Sequence, residues 1–193
     1  MRHSINWNMV YDLPFGRGRQ FGGNVPLVVD EILGGWRIGL TGLGYTGFPA
    51  TIVATNNAEV NNGAQYANHY RSMKIVHRSM AQWFGTDPSA TPCITVGVDN
   101  GVCAYGQTAE GTFGTAHPDS ERAPGYENYG ASVIKDFTLW HEHQINFRVD
   151  ADNLFNSAYW GDPNNSAGQP NFGQITYVRS NPRNLQVALK YHF

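Results

Sequence analysis

The sequence predicts an all-β chain, an antiparallel meander of about five long strands with long loops. Three observations predict it. Apolar and polar residues alternate with period two in several windows, and those windows run to ~10 to 12 residues, above the globular norm of ~5 to 6. No stretch carries the apolar repeat of a long helix. Only 15% of the 193 residues are charged, against ~25% in an average soluble domain, while 10 Tyr, 10 Phe and 5 Trp bring the aromatic share to 13%. Such a chain hides its aromatics or sets them at an interface.

The strands follow in order, within a single β domain expected over 1–193. Near 3–13, Ile5, Trp7, Met9, Tyr11 and Leu13 share one parity, and Ser4, Asn6, Asn8 and Asp12 hold the other. A second strand near 35–46 is rich in glycine, with a change of phase expected at Gly42. The segment 55–127 reads as a long loop enclosing a small hairpin, 93–103, because the turn residues Asp99-Asn100-Gly101 are flanked by β-branched ones. A strand near 129–139 is apolar on one parity except at Lys135. Near 144–155, Ile145, Phe147, Val149 and Ala151 alternate with Gln144, Asn146, Arg148, Asp150 and Asp152. Near 184–193, Leu185, Val187, Leu189, Tyr191 and Phe193 alternate with Asn184, Gln186, Lys190 and His192. The candidate apolar face, for assembly or for lipid, is therefore Ile5, Trp7, Met9, Tyr11, Ile145, Phe147, Val149, Leu185, Val187, Leu189, Tyr191 and Phe193.

A soluble half-buried sheet would also alternate. Two features favour a membrane-type strand. The lengths match the ~9 to 11 residues of a tilted membrane-spanning strand. Aromatics also recur at strand ends (Trp7, Tyr11, Trp36, Tyr45, Phe137, Trp140, Tyr191, Phe193), as in the girdles that edge an apolar band. Long loops on one side and tight turns on the other, with Pro14 to Gly35 as a longer turn, give strands that run down, up, down, up, down.

A net charge of −2 with no Lys/Arg block gives no reason to bind nucleic acid. No apolar run reaches the ~18 to 20 residues of a membrane-crossing helix, and the mean hydropathy is −0.40. The opening residues lack the apolar stretch of a secretory signal, which predicts either a cytosolic chain or a piece of a longer one; the strands favour the second. Cys93 and Cys103 are a disulfide candidate at the ends of the expected hairpin, which would place the chain in an oxidising compartment. The alternative is two free thiols.

Other constellations are weak. His141-Glu142-His143 could present two imidazoles to a metal from a turn, but no third ligand is evident. Asp150-x-Asp152-Asn153 imitates the start of a calcium loop, yet it lies in an alternating strand with no distal Glu in register. Gly16-x-Gly18 with Gly22 misses the dinucleotide spacing and reads as turn glycine. Asn164-Asn165-Ser166 matches a glycosylation sequon, a pattern common by chance. No nucleophile and base sit on a recognisable scaffold, so neither an enzyme nor a cofactor is expected.

Several words are specific. Tyr11-Asp12-Leu13-Pro14-Phe15-Gly16-Arg17-Gly18-Arg19, Ile32-Leu33-Gly34-Gly35-Trp36-Arg37-Ile38 and Tyr45-Thr46-Gly47-Phe48-Pro49-Ala50-Thr51 resemble successive segments of the C-terminal barrel of TonB-dependent receptors of the Oar-like type. So do Arg122-Ala123-Pro124-Gly125, Phe147-Arg148-Val149-Asp150-Ala151-Asp152-Asn153-Leu154-Phe155-Asn156 and the closing Pro182 to Phe193. The resemblance implies an outer-membrane barrel of about 22 strands with a plugged lumen, importing large or scarce solutes with energy from an inner-membrane complex. The chain departs from that pattern in lacking a plug and an energy-coupling box, and in offering only about five of those ~22 strands. Its last strand with terminal Phe193 is similar to the signal by which outer-membrane barrels are recognised for insertion.

Five strands cannot close a membrane-spanning barrel, since single-chain barrels begin at about 8, and open edges in lipid leave backbone groups unsatisfied at several kcal/mol each. The sheet is thus an incomplete barrel-type sheet, completed by other chains or by missing parent strands. The expected function is a structural, self-assembling β-sheet protein, an extracellular or surface filament or oligomer derived from a TonB-dependent receptor barrel, whose partners are copies of itself. The alternative is a C-terminal fragment of a TonB-dependent outer-membrane transporter that imports solutes only within its full-length parent. A weaker third reading is a soluble ligand-binding β-domain using the aromatic loops. The expected location is the bacterial outer membrane, or the extracellular space after release from a secreted precursor.

Overall fold

A computed structural model describes residues 2–55, 65–139 and 143–193. The chain divides into two compact units. A strand unit comprises His3–Tyr45, Tyr126–Ala158 and Ser180–Phe193, and a loop unit comprises Met1–Arg2, Thr46–Gly125 and Tyr159–Arg179. A single domain over 1–193 was expected; the long loops instead carry a hydrophobic core of their own.

In chain order, the strand unit holds β1 (Ser4–Asp12), a short helix α1 (Leu27–Leu33) and β2 (Trp36–Tyr45). The loop unit follows with six two-residue strands: β3 (Pro49–Ala50), β4 (Val53–Ala54), β5 (Gln65–Tyr66), β6 (Asn68–His69), β7 (Tyr105–Gly106) and β8 (Glu121–Arg122). The chain then returns to the strand unit as β9 (Tyr126–Thr138), β10 (Gln144–Asp152) and β11 (Asn184–His192). The fold is all-β, with one antiparallel five-stranded sheet in the order β1-β2-β9-β10-β11 and no closed barrel.

The registers leave no slip. Met9 faces Leu40, Leu40 faces Ala131, Ala131 faces Ala151 and Ala151 faces Leu185. Register is pinned because a one-residue shift would turn every side chain of a strand to the other face. The phase change expected at Gly42 is absent: β2 pairs without interruption, Gly42 facing Trp7 on one side and Tyr129 on the other. Gly42 instead makes room, since a Cβ there would overlap the Trp7 indole. We therefore expect Gly42→Val to push Trp7 aside and destabilise the sheet by ~1 to 3 kcal/mol, read as a lower unfolding midpoint with altered tryptophan emission.

Connection α1 was not expected from the sequence. It spans only 7 residues, too few for a helical period to declare itself. Gly16, Gly18 and Gly22 all have positive φ, which is the turn role that glycine supplies most cheaply.

In the loop unit the core is Ile52, Ala67, Trp83, Phe84, Ala90, Ala104, Tyr105, Ala116, Ala167, Phe172 and Ile175. Phe84 and Phe172 lie 4.9 Å apart, and Trp83 meets Trp160 edge-on at 6.0 Å. The segment 93–103 is not a hairpin, because no ladder joins its two sides. Its backbone bonds go elsewhere: the Cys93 N–H donates to the Tyr105 carbonyl and the Gly97 N–H to that of Gln107, while Asn100 Oδ1 accepts from the N–H groups of Val102 and Cys103 at 2.8 Å each. Side-chain turn chemistry has displaced strand pairing. Cys93 and Cys103 form a disulfide.

Candidate membrane interface

The ladder carries parity from strand to strand. Because directly paired residues point to the same face, the registers collect Ile5, Trp7, Met9 and Tyr11 with Ile38, Leu40, Ala131, Val133, Ile145, Phe147, Val149, Ala151, Leu185, Val187, Leu189 and Tyr191 on one side. The anticipated apolar residues of three separate strands thus meet on one surface, to which β2 and β9 add the middle. Phe193 lies just beyond β11 and is 91% exposed. This surface is open: Ile5, Met9, Leu185, Val187 and Leu189 are all exposed. A soluble protein rarely exposes a contiguous apolar patch of such extent.

Aromatics border it at two levels. Toward the end where β2 leaves and β9 returns, Trp7, Tyr129 and Phe155 form a chain of ring contacts at 6.5 and 5.6 Å. Toward the other end, Trp36 meets Phe147 edge-on at 6.4 Å, and Tyr191 stacks on Phe193 at 6.0 Å. Tyr45 belongs to neither level, because it stacks on Tyr126 on the opposite face. Trp140 lies outside the described residues. Strands of 9 residues, rising ~3.3 Å per residue and tilted by ~40°, span ~23 Å of membrane normal, matching the ~25 Å apolar band of outer-membrane barrels.

Lys135, on the apolar parity, sits at the lower aromatic level and not between the two. It pairs with Trp36, the first residue of β2, and is only 2% exposed. Its ammonium donates to the Gly34 carbonyl and lies 4.8 Å from the Phe137 ring centroid. A long cationic side chain that reaches a carbonyl beside an aromatic belt avoids the desolvation it would meet at a bilayer midplane.

The other face is mainly polar: Asn6, Asn8, Thr41, Ser132, Asn146, Arg148, Asp150 and Gln186 fall on it by register, with Val10, Leu43 and Ile134 among them. Its groups pair laterally, Asn146 Nδ2 donating to Asp136 at 2.6 Å, Asn128 Nδ2 to Asp152 at 3.0 Å, and Arg148 Nε to Asp150 at 2.7 Å. Over the small residues Gly39, Gly130 and Ser132 lies a concavity of about 360 Å³.

Helix α1 repeats the inversion. Its apolar residues Leu27, Val28, Ile32 and Leu33 are 70%, 75%, 61% and 54% exposed. Its acids turn inward: Asp30 accepts from the Arg17 N–H at 2.6 Å and Glu31 from the Thr138 N–H at 2.8 Å. A helix with its carboxylates tied down and its apolar side outward suits a lipid boundary.

The remaining chemical candidates are engaged elsewhere. Asp150 and Asp152 bind Arg148 and Asn128, and Asn153 has a backbone role, so no calcium loop forms. Among the described residues, the one grouping of metal-ligand types is Cys93, Asp99 and Cys103. Its sulfurs are oxidised and Asp99 accepts from Arg71 at 2.6 Å, a bond that holds the carboxyl below its ordinary range with help from the Gly101 N–H. His141 and Glu142 lie outside the described residues, whereas His143 Nδ1 is 2.6 Å from the Tyr191 hydroxyl. The sequon residue Asn164 is held by Ser166 and Asn171.

Sequence reasoning missed one polar knot. Asn153, at φ +49 and 5% exposed, donates from Nδ2 to the carbonyls of Ser157 and Asn181 at 2.9 and 2.8 Å, and accepts from the Ser157 N–H at 3.0 Å. Asn156, at φ +52, accepts from the Arg183 N–H at 3.1 Å. These two residues tie the exit of β10 to the entry of β11. The signal was available as a pair of asparagines, the residue type most tolerant of left-handed backbone after glycine, immediately after a strand.

An open antiparallel sheet with one lipid-type face, one polar face and aromatic borders defines a β-barrel wall of the outer-membrane class. The comparison with known families agrees: the sequence model described as an outer membrane beta barrel domain matches residues 1–186. The chain belongs to this family, which places it in the bacterial outer membrane. No curated protein and no solved structure matches it.

Proposed function

We propose that the chain is part of the wall of an outer-membrane transporter of the Oar-like TonB-dependent receptor type, importing solutes within a barrel completed by further strands of its parent. The observation that carries this reading is the continuous apolar face across all five strands, bordered by aromatics and backed by a polar face suited to a lumen. The position of Lys135 beside Gly34 and Trp36 removes the main electrostatic objection to lipid contact. In this reading the chain performs transport and no catalysis.

Self-assembly is the second reading, favoured by the outward edges of β1 and β11, which pair with no strand among the described residues. Strand direction limits its form. The sheet is antiparallel throughout, so with five strands β1 and β11 run the same way. Head-to-tail addition of identical copies would join them in parallel, against the antiparallel rule of such barrels. Two-fold pairing of β1 with β1 and of β11 with β11 restores antiparallel ladders, but it inverts alternate copies, and it builds an open filament where the rotation does not close a ring.

The native polypeptide, extracted from the outer-membrane fraction with an antibody to the loop unit and weighed intact, separates the readings. A heat-modifiable polypeptide several times heavier than 21.4 kDa is expected. Filaments of 21.4 kDa subunits recovered without detergent would replace the transporter reading with the second.

A further inference from the structure

In the loop unit, Arg2, Arg78 and Arg122 line one cavity of about 350 Å³ together with Trp83. Among the described residues, none of these three guanidiniums is in an ion pair, whereas Arg37, Arg71, Arg148 and Arg179 each hold an aspartate. The neighbouring carboxylate offsets them only in part. Glu121 accepts from the buried Tyr105 hydroxyl at 3.1 Å and attracts Arg78 from beyond ion-pair distance. Burial raises the Glu121 carboxyl above its ordinary range and pushes the Tyr105 phenol up to about 12.

The cavity wall is built. Trp83 is 9% exposed, donates from Nε1 to the Arg122 carbonyl at 2.6 Å and is braced edge-on by Trp160. The Arg78 guanidinium lies 4.6 Å from the Trp83 ring centroid. The residue before it, His77, has φ +52, a conformation that non-glycine residues rarely adopt and that clusters at functional sites. The Arg78 guanidinium is therefore held against the indole, the Arg122 main chain is tied to the same ring, and Arg2 reaches the cavity from the start of the chain.

We propose that this cavity binds a small multivalent anion, a solute carrying two or more carboxylate or phosphate groups. Planar guanidinium forks match both groups with paired N–H donors, and three cations outside any ion pair around one cavity raise the local concentration of such a ligand. The site goes beyond the transporter reading, since it lies wholly within the loop unit and would bind whether the parent is a transporter or a filament.

The test is calorimetric titration of the full chain, folded in detergent, with citrate and separately with inorganic pyrophosphate. Saturable one-to-one binding of either anion is expected, weakening as sodium chloride is raised. Binding of citrate alone would assign carboxylates, and of pyrophosphate alone phosphates. Arg78→Gln and Arg122→Gln should each weaken binding about tenfold or more, while Arg19→Gln, outside the cavity, should leave it unchanged. Should either inner variant fail to form the Cys93–Cys103 disulfide, Arg2→Gln decides, because Arg2 is exposed and outside the core. No saturable binding of either anion, or wild-type affinity in the folded variants, would overturn the proposal.

Discussion

Val187→Arg is expected to destabilise the sheet in a membrane or detergent by about 2 to 4 kcal/mol, whereas Gln186→Arg, one residue away, should change little. Val187 is 67% exposed and pairs with Val149, which pairs with Val133, which pairs with Ile38. The row crosses four strands without a polar atom on its side chains and lies between the aromatic levels, one rung from that of Trp36 and Phe147. A guanidinium there must be desolvated or must drag water into the apolar band. Gln186 faces Asp150 on the polar side, where an added cation meets a carboxylate. The measurement is urea unfolding of the two variants, folded in detergent or in the outer membrane, followed by tryptophan emission. Equal destabilisation by both would mean that the two faces do not differ in solvent, and the lipid assignment would fall. If the chain forms filaments instead, the same Val187 change should block assembly, since a second sheet or a neighbouring loop would have to cover the row.

Asn153→Ala should lower stability by about 4 to 5 kcal/mol. Three hydrogen bonds are lost, each worth about 1 kcal/mol net, and alanine resists the left-handed backbone at φ +49 by a further ~1 to 2 kcal/mol. The carbonyls of Ser157 and Asn181 are left to find water in a site only 5% exposed. Asn153→Gly should be milder, because it forfeits the side-chain bonds but keeps the backbone geometry. Asn153→Asp keeps the acceptor for the Ser157 N–H and the left-handed backbone but loses both donors, so it should fall between wild type and alanine. Chemical unfolding of the three variants checks the order. An alanine variant within ~0.5 kcal/mol of wild type, the usual range of an innocuous surface change, would show that the junction of β10 and β11 is held by something other than this knot.

The strands were legible because period two is a property of the chain itself. Ile145, Phe147 and Val149 must share a face in any extended conformation, whatever they pair with. The place of Lys135 was not legible. Its cost on an apolar parity depends on depth, and depth follows from its pairing with Trp36, about a hundred residues away in the chain. Gly42 was misjudged for the same reason: it reads as a local break, but its cause is the indole of Trp7 across the ladder. The segment 93–103 carried true turn chemistry in Asp99-Asn100-Gly101, yet the partners of its backbone, Tyr105 and Gln107, lie outside the segment. The core of the loop unit was hidden because two-residue strands leave no period to detect.

By itself the sequence determined an all-β chain with long strands, one apolar face per strand and a cysteine pair, since each of these rests on the spacing of neighbours along the backbone. Tertiary structure alone decided that the separate faces become one surface, that Lys135 escapes the apolar band, that the loops fold around their own core and that Arg2, Arg78 and Arg122 share a cavity. The physical reason is that register, depth and charge clustering are relations between residues far apart in the chain, and only pairing and packing set them.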